Sequence, residues 1–406
     1  MPDKNGSGDR PSAVVVGGGP AGLTAAITLA GAGLATVLVG KRPARPDNRT
    51  TALFAGSVTA LETLDVWELC AAQAAAMRVM RIIDDTGRLW RAPEVRFAAD
   101  EIGLDAFGYN IENFYLSAAL ERRAGALTGL RLIDDEVRSV IPGEDAVTLT
   151  LKGGGKLSAP LVVAADGRRS LCRAAAGIAI AERDYSQVAL TVCLKHSHPH
   201  RDTSTEFHTP SGPFTLVPLP GLRSSLVWVL DLARADAVKA LDDNALAAEI
   251  ERAAHSILGK IAVEPGRGLF PLSVATAKRF GAKRIALVGE AAHVIPPIGA
   301  QGLNLGLRDA ASIGELAVAA QRAGADIGGG DMLERYEKMR RADVGTRTLA
   351  IDLLNRTLLT DFLPVQGLRG LGLYAIDRIG PLRRAVMREG VQPAAAQPRL
   401  MRGEAL

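Results

Sequence analysis

Gly17, Gly19 and Gly22 fall at the spacing G-x-G-x-x-G, directly after the apolar run Val14-Val15-Val16 and at the start of a helical pattern. Each position has a physical reason to lack a side chain: a tight turn, close backbone approach to a pyrophosphate, and close packing of helix on strand. Pro20, Ala21 and Gly22 begin a helix whose free N–H groups would face phosphates. The chemistry implied is dinucleotide binding, and through it redox catalysis; a ligand-free strand–turn–helix is the alternative for this motif taken alone. In a nucleotide fold the next strand, Thr36 to Val39, should end on an acid for the ribose hydroxyls. Gly40 stands there instead, followed by Lys41 and Arg42. That departure implies either a weaker ribose contact or a basic site for a 2′-phosphate.

The elements that must position these residues can be read along the chain. Residues 1–11 read as a disordered polar tail. Ser12 to Gly40 carries no charge, but Pro20 and its glycines break it into strand, helix and strand rather than a membrane span. The polar segment 47–53 turns into a helical pattern. Met80 to Ile83 is strand-like, Ile111 to about Ala126 helical, and Leu130 to Leu151 alternates as a hairpin or meander. Leu161 to Ala165 is a buried strand closed by Asp166-Gly167. From about Gln187 to Ala277 the texture becomes that of an antiparallel sheet, with strands at 187–195, 213–217 and 224–230 and one amphipathic helix over roughly 235–258. Arg284 to Val288 returns to buried-strand composition, and Leu303 to about Ala323 is a long helix.

The bulk numbers exclude several classes. A chain of 406 residues makes two or three domains. A net charge of +4 argues against a dedicated nucleic-acid binder while permitting an anionic cofactor or membrane surface. Cys70, Cys172 and Cys193 are odd in number and unclustered, which suggests a reducing compartment, by default the cytoplasm, with no disulfide framework and no metal site. His196, His198 and His200 alternate and would share one strand face; with Pro199 and Arg201 beside them, a surface turn is preferred to a metal site.

The block from Arg284 to Asp309, taken with Gly17 to Gly22 and with Ala165-Asp166-Gly167-Arg168-Arg169-Ser170, resembles the aromatic-ring flavoprotein hydroxylases, and within them the ubiquinone-biosynthesis hydroxylase family. The three blocks occur in family order and spacing, and the likeness runs from about Val14 to about Met387. The resemblance implies FAD, with Gly17, Gly19 and Gly22 at the pyrophosphate and Arg49 near the flavin. Asp166 and Gly167 match a second fingerprint near the pyrophosphate and the nicotinamide path. Gly289 and Glu290 lie at the ribityl chain, where Glu290 replaces the usual Asp and adds a methylene. Pro296 and Pro297 stiffen the following loop, while Gly299 and Gly302 allow approach to a ring system. Gln301, Gly302, Leu303 and Asn304 are also expected at the cofactor, and the helix starting near Leu303 would point its positive end at the flavin, favouring negative charge on the reduced ring. By this likeness the oxidant is a C4a-hydroperoxyflavin formed from O2 and reduced FAD, so no side-chain nucleophile is needed and Pro296, Pro297 and Gly299 act as a backbone loop at the flavin. His293, just past the strand, reads as a structural histidine.

The resemblance implies an α/β fold: a Rossmann-like FAD-binding domain from discontinuous segments (12–75, 109–178 and 278–345), a mixed or antiparallel-sheet substrate domain (76–108 and 179–277), and a helical C-terminal region with tail (346–406). It also implies an enzyme inserting one oxygen into a polyprenylated phenol or quinol precursor. NAD(P)H is the expected electron donor, binding transiently, because no second glycine fingerprint is evident. Pocket candidates are Pro296, Ile298, Gly299 and the 214–217 strand. Apolar residues and arginines between Pro364 and Arg388 suit either packing on the FAD domain or contact with a membrane surface or partner protein. The expected location is therefore cytoplasmic, with peripheral contact at the inner face of the membrane. Alternatives are a hydroxylase of a soluble aromatic substrate and a non-catalytic scaffold in a ubiquinone-biosynthesis complex.

Overall fold

The computed structural model of the chain describes residues 10–41, 49–87, 92–297, 299–359, 372, 374–375, 378–391 and 397–406. Residues 1–9 of the tail expected at 1–11, Arg42, Ile298, and the apolar and basic positions at 364–371 lie outside these residues.

The glycine motif sits at the centre of a six-stranded sheet. Ala13–Val16 pairs in parallel with Thr36–Val39 on one side and Leu161–Ala164 on the other. Leu130–Ile133 extends the first side in parallel, and Ile285–Leu287 extends the second. These strands are covered on both faces, which is why they read as unbroken apolar runs rather than alternating ones. Val14 and Val15 are fully buried, and each contributes about 1.5–3 kcal/mol relative to exposure. Within this sheet the chain runs outward from Ala13–Val16 to Thr36–Val39 and Leu130–Ile133, then crosses back to Leu161–Ala164 on the other side, so the carboxyl ends of Val16 and Ala164 flank a crevice, the usual ligand position in open α/β sheets.

Two helices pack behind that crevice. Pro20–Gly31 is buried from Gly22 to Ala30 and lies against Gln301–Arg322. They cross closely where Gly314 faces Thr28: a Cβ on Gly314 would lie 2.2 Å from Thr28 Cγ2.

The second layer is a nine-stranded sheet. Its path runs from His293–Val294 through Gly268–Ala277, Ile180–His196, Arg223–Asp231, Gly212–Leu219, Thr203–Thr209 and Val79–Asp84 to Val95–Ala98, with Ile261–Val263 paired to Ile180–His196. One face buries Phe207, Phe214, Leu216 and Trp228 against two helices. The strand period of two sends Thr215, Val217 and Val227 to the opposite face.

Several local expectations need correction. The single helix over 235–258 is two, Leu232–Lys239 and Asp243–Ala253. Each is started by its own aspartate cap: Asp231 Oδ1 accepts from Arg234 N (2.8 Å) and Asp242 Oδ1 from Ala245 N (2.8 Å). Thr50–Phe54 is a strand paired with Gly108–Glu112, and helix begins only at Ala55. The 130–151 stretch is divided. Leu130–Ile133 joins the parallel sheet, and only Val137–Pro142 and Val147–Leu151 form a hairpin. His196 is no surface residue. It is buried at the end of a strand, with Nδ1 on His198 O (2.8 Å) and Nε2 on Ser224 Oγ (3.0 Å). Among the described residues no cluster of ligating side chains could hold a metal.

Candidate active site

A cavity of about 1080 Å³ separates the crevice from the inner face of the nine-stranded sheet. Single-ligand pockets occupy roughly 300–1,000 Å³, so this volume suits a cofactor and a second molecule together.

One wall is built from backbone. Gly17 has φ +120°, and a Cβ there would lie 2.1 Å from Ala165 O. At Gly22 a Cβ would lie 2.0 Å from Gly17 O. Gly19 differs, since nothing lies within 4 Å of its added Cβ, and it borders the cavity. It leaves room for a ligand rather than for protein. The helix beginning at Pro20 has no side-chain cap, and neither has the helix beginning at Gln301. Gly302 and Leu303 of the latter also line the cavity, so two helix N-termini with unsatisfied N–H groups open on one space. That arrangement stabilises negative charge at both places. Uncapped N-termini, the open Gly19 cradle and the volume fit an FAD: the first helix suits its pyrophosphate and the second the electron-rich edge of its ring.

The departure at Gly40 has a steric cause. A Cβ there would lie 2.3 Å from Gly18 N, so the strand end presses on the glycine loop and no acidic side chain fits. Lys41 is paired with Glu136 at 3.3 Å.

Behind the loop lies a buried charge network. Asp309 is fully buried; its Oδ2 accepts from Gly289 N (2.9 Å) and contacts His293 Nε2 (2.7 Å), and its Oδ1 accepts from Arg340 Nε (2.6 Å). Burial pushes the Asp309 carboxyl up, but His293, Arg340 and the Gly289 N–H outweigh it and hold it below the usual carboxylate range. Arg340 continues to Asp343 Oδ2 (2.8 Å), Arg347 donates to Asp343 Oδ1 (2.9 Å), and Arg347 also donates to Gln301 Oε1 (2.9 Å). The chain of contacts thus ties both ends of the 289–301 segment to the Gly330–Leu359 helix.

The opposite wall is built from side chains. Met80 and Ile82 come from one strand, Thr215 and Val217 from another, and Thr191, Val227 and Phe270 from three more. Arg49 lies 5.4 Å from the Phe270 ring centroid, over its face, where the two walls meet. Asn110 Nδ2 donates to Pro218 O (2.9 Å) and Ser225 Oγ (3.0 Å), fastening the small 50–54/108–112 sheet to the large one.

Of the expected site residues, Gly19, Pro20, Ala21, Gly22, Arg49, Gly167, Gly289 and Glu290 line the cavity, as do Pro296, Pro297, Gly299, Gly302 and Leu303. Four do not. Gly17 is packed on Ala165. Asp166 turns aside, its Oδ2 accepting from Cys172 N (3.0 Å), while Oδ1 is buried without a hydrogen-bond partner among the described residues. Gln301 is held by Arg347. Asn304 points into the protein. Its Oδ1 accepts from Phe54 N (2.9 Å) and Ser57 Oγ (2.7 Å), and its Nδ2 donates to Ala52 O (2.8 Å) and Ala300 O (2.7 Å). It pins the start of the 301–322 helix to the Thr50–Phe54 strand. In the 214–217 strand, Thr215 and Val217 line the cavity, while Phe214 and Leu216 are core. His293 lines the cavity and is bonded to Asp309 through Nε2, but its buried Nδ1 has no hydrogen-bond partner among the described residues. Sequence reasoning missed Asp309, Arg340 and Asp343. The available signal was a charged residue, Asp309, amid the small and apolar residues of a long helix.

The FAD binding domain family matches residues 10–350. The ubiquinone hydroxylase UbiL of Rhodospirillum rubrum is 36% identical over 98% of this chain and 94% of its own length. The 3-demethoxyubiquinol 3-hydroxylase of Escherichia coli is 33% identical, covering 92% of this chain and 96% of its own. Among solved structures, p-nitrophenol 4-monooxygenase PnpA from Pseudomonas putida superposes with a TM-score of 0.77 at 20% identity, over 95% of this chain and 99% of that one. A single-substitution variant of HpxO from Klebsiella pneumoniae, complexed with FAD, has a TM-score of 0.75 at 19% identity over 95% and 100%. With its glycine cradle and two uncapped helix N-termini open on one cavity, the chain belongs to the FAD binding domain family, alongside the ubiquinone-biosynthesis hydroxylases.

Proposed function

We propose that this protein hydroxylates the aromatic ring of a polyprenylated phenol or quinol in ubiquinone biosynthesis, drawing electrons from NAD(P)H and one oxygen atom from O2. The observation that carries the reading is the cavity whose anion-stabilising backbone wall faces a largely apolar sheet wall. The named activities of the relatives support it. FAD, when bound, supplies the redox chemistry that activates O2.

The chain's own residues do the rest. The Pro20 and Gln301 helix ends hold negative charge on the cofactor. Pro296, Pro297 and Gly299 shape the loop beside the ring, and the Asp309 network keeps that loop rigid, so its donors need no reorganisation during turnover. Met80, Ile82, Val217 and Val227 exclude water and accept an apolar substrate.

Peripheral membrane contact on the cytoplasmic side belongs to the same proposal. Among the described residues no helix is long and apolar enough to cross a membrane. The Gly380–Val391 helix buries Met387 and Val391 against Phe97 and Phe107. Ile379, Leu382 and Val386 nonetheless stay exposed, between Arg378, Arg384 and Arg388. An apolar row flanked by cations suits an anionic lipid surface.

The test is turnover of a short-chain prenylated phenol under 18O2 by FAD-loaded protein with NADH or NADPH. One labelled oxygen in the product is expected. A protein that holds no FAD at saturating concentration, or that oxidises NAD(P)H without phenol-dependent product, overturns the reading, and the first outcome favours a scaffold.

A further inference from the structure

The sheet wall carries one feature that an apolar substrate does not require. Glu206 stands in a cross-strand row with Ile82, Thr215, Val227 and Thr191, each paired directly with the next strand, and all five line the cavity. Its side chain keeps 19% exposure. His208 Nε2 lies 2.9 Å from Oε1, and Thr215 Oγ1 donates to Oε2 at 3.1 Å. A carboxylate accepts about four hydrogen bonds, so each oxygen retains acceptor capacity toward the cavity. Burial pushes the Glu206 carboxyl up, but the hydrogen bonds of His208 and Thr215 and the charge of His208 outweigh it and keep it ionised, below the usual range.

Its basic partner His208, on Oε1, does not itself line the cavity, and the nearby arginine is paired elsewhere. Arg81, on the adjoining strand, forms a two-pronged pair with Glu94 at 2.5 and 2.8 Å. The wall therefore presents an ionised acceptor among hydroxyl and aliphatic groups. Such a group binds a hydroxyl donor strongly, because hydrogen bonds to charged acceptors are roughly twice as strong as neutral ones. It also repels an anion in a low-dielectric space.

We infer that Glu206 determines substrate class, accepting a hydrogen bond from a ring hydroxyl of a neutral phenol or quinol and rejecting aromatic carboxylates. The identity of the substrate rests on the function proposed above, whereas the preference for neutral over acidic rings follows from the wall itself. No proton need be transferred; Glu206 anchors and polarises the O–H bond. Because Glu206 is on the sheet, its removal affects ring binding before it affects cofactor binding.

The test uses FAD-loaded full-length protein and two probes, a short-chain prenylated phenol and the same ring with a carboxylate in place of the hydroxyl. Calorimetric titration of the wild type should show at least a tenfold preference for the phenol. Glu206→Gln should weaken phenol binding about tenfold and strengthen the acid, bringing the two within about threefold, with KM rising more than kcat falls and FAD content unchanged. Glu206→Asp, which retracts the charge without removing it, should weaken the phenol while still rejecting the acid, a separation that a purely structural role would not produce. Equal binding of both probes by the wild type overturns the inference, as does an unchanged preference in Glu206→Gln. If Glu206→Gln does not fold, Glu206→Asp decides: retained phenol affinity overturns the inference. Absence of hydroxylated product from the wild type counts against the monooxygenase reading alone, because the binding preference still decides the role of Glu206.

Discussion

The two walls of the cavity are made in opposite ways. On the cofactor side, short-range neighbours do the work: Gly17, Gly19 and Gly22 lie within six positions of one another, and the ligand surface is mostly main chain. On the sheet side the surface is side chain, collected from strands between Met80 and Phe270, and no two lining strands contribute a contiguous motif. The first wall is also braced by buried charge, whereas the second has one face in a hydrophobic core and the other open to the cavity. A wall of backbone and buried ion pairs is coupled to folding, while a wall of side chains over a void can vary without unfolding the protein. That contrast teaches how one architecture retains a cofactor while changing its substrate.

The largest test of this contrast is Asp309→Ala. Removing a fully buried carboxylate strands Arg340 and His293, and should cost about 3–5 kcal/mol in a urea titration, with FAD affinity falling too. The same group gives a pH signature. Its folded carboxyl is held below its unfolded value, so its stabilisation is present above the ordinary Asp pKa and is lost as pH falls below about 4. The wild-type urea midpoint should therefore drop on acidification, and Asp309→Asn should flatten that dependence; an equally steep curve would remove Asp309 from the account.

Gly22→Val comes next. Its first atom would collide with Gly17 O, so a loss of about 1–3 kcal/mol is expected. Gly19→Ala, facing open space, should leave the midpoint in place and weaken FAD binding. Equal effects of the two on stability would show that the motif is only a packing device. On the other wall, Val227→Phe projects into the cavity, and should raise substrate KM about tenfold while leaving FAD affinity and the urea midpoint unchanged. A midpoint shift as large as that of Gly22→Val would erase the difference between the walls.

The smallest effect concerns the thiols. Burial pushes Cys70 up to about 11 and Cys193 up to about 12, and raises Cys172 further. A disulfide reagent at neutral pH should titrate none of them quickly in the native protein and all three after denaturation. Rapid labelling of Cys193 alone would show that the cavity admits bulk solvent.

Legibility followed the same division. The glycine loop, the buried strands at 14–16, 36–39, 161–164 and 285–287, and the long helix, expected from Leu303 and found to begin two residues earlier, were all readable, because each depends on contiguous residues or a short period. Asn304 and Gln301 lay within the readable block but carry a different duty, since a helix start fixes which residues are near a loop and not which way each side chain points. The division of 235–258 into two helices was present in Asp231 and Asp242, whose capping role competes with a continuous helical pattern.

By itself the sequence determined the cofactor class, the parallel core and the order of the blocks, because those follow from backbone sterics and local apolar runs. Only the tertiary structure decided that Asp309 meets Arg340, that Gly40 has no room for an acid, and that Glu206 stands beside Thr215 on the cavity wall. These contacts join residues brought together by strand register and helix crossing, which no local spacing encodes; the i,i+3 pair of Arg340 with Asp343 is the local exception within the Asp309 network.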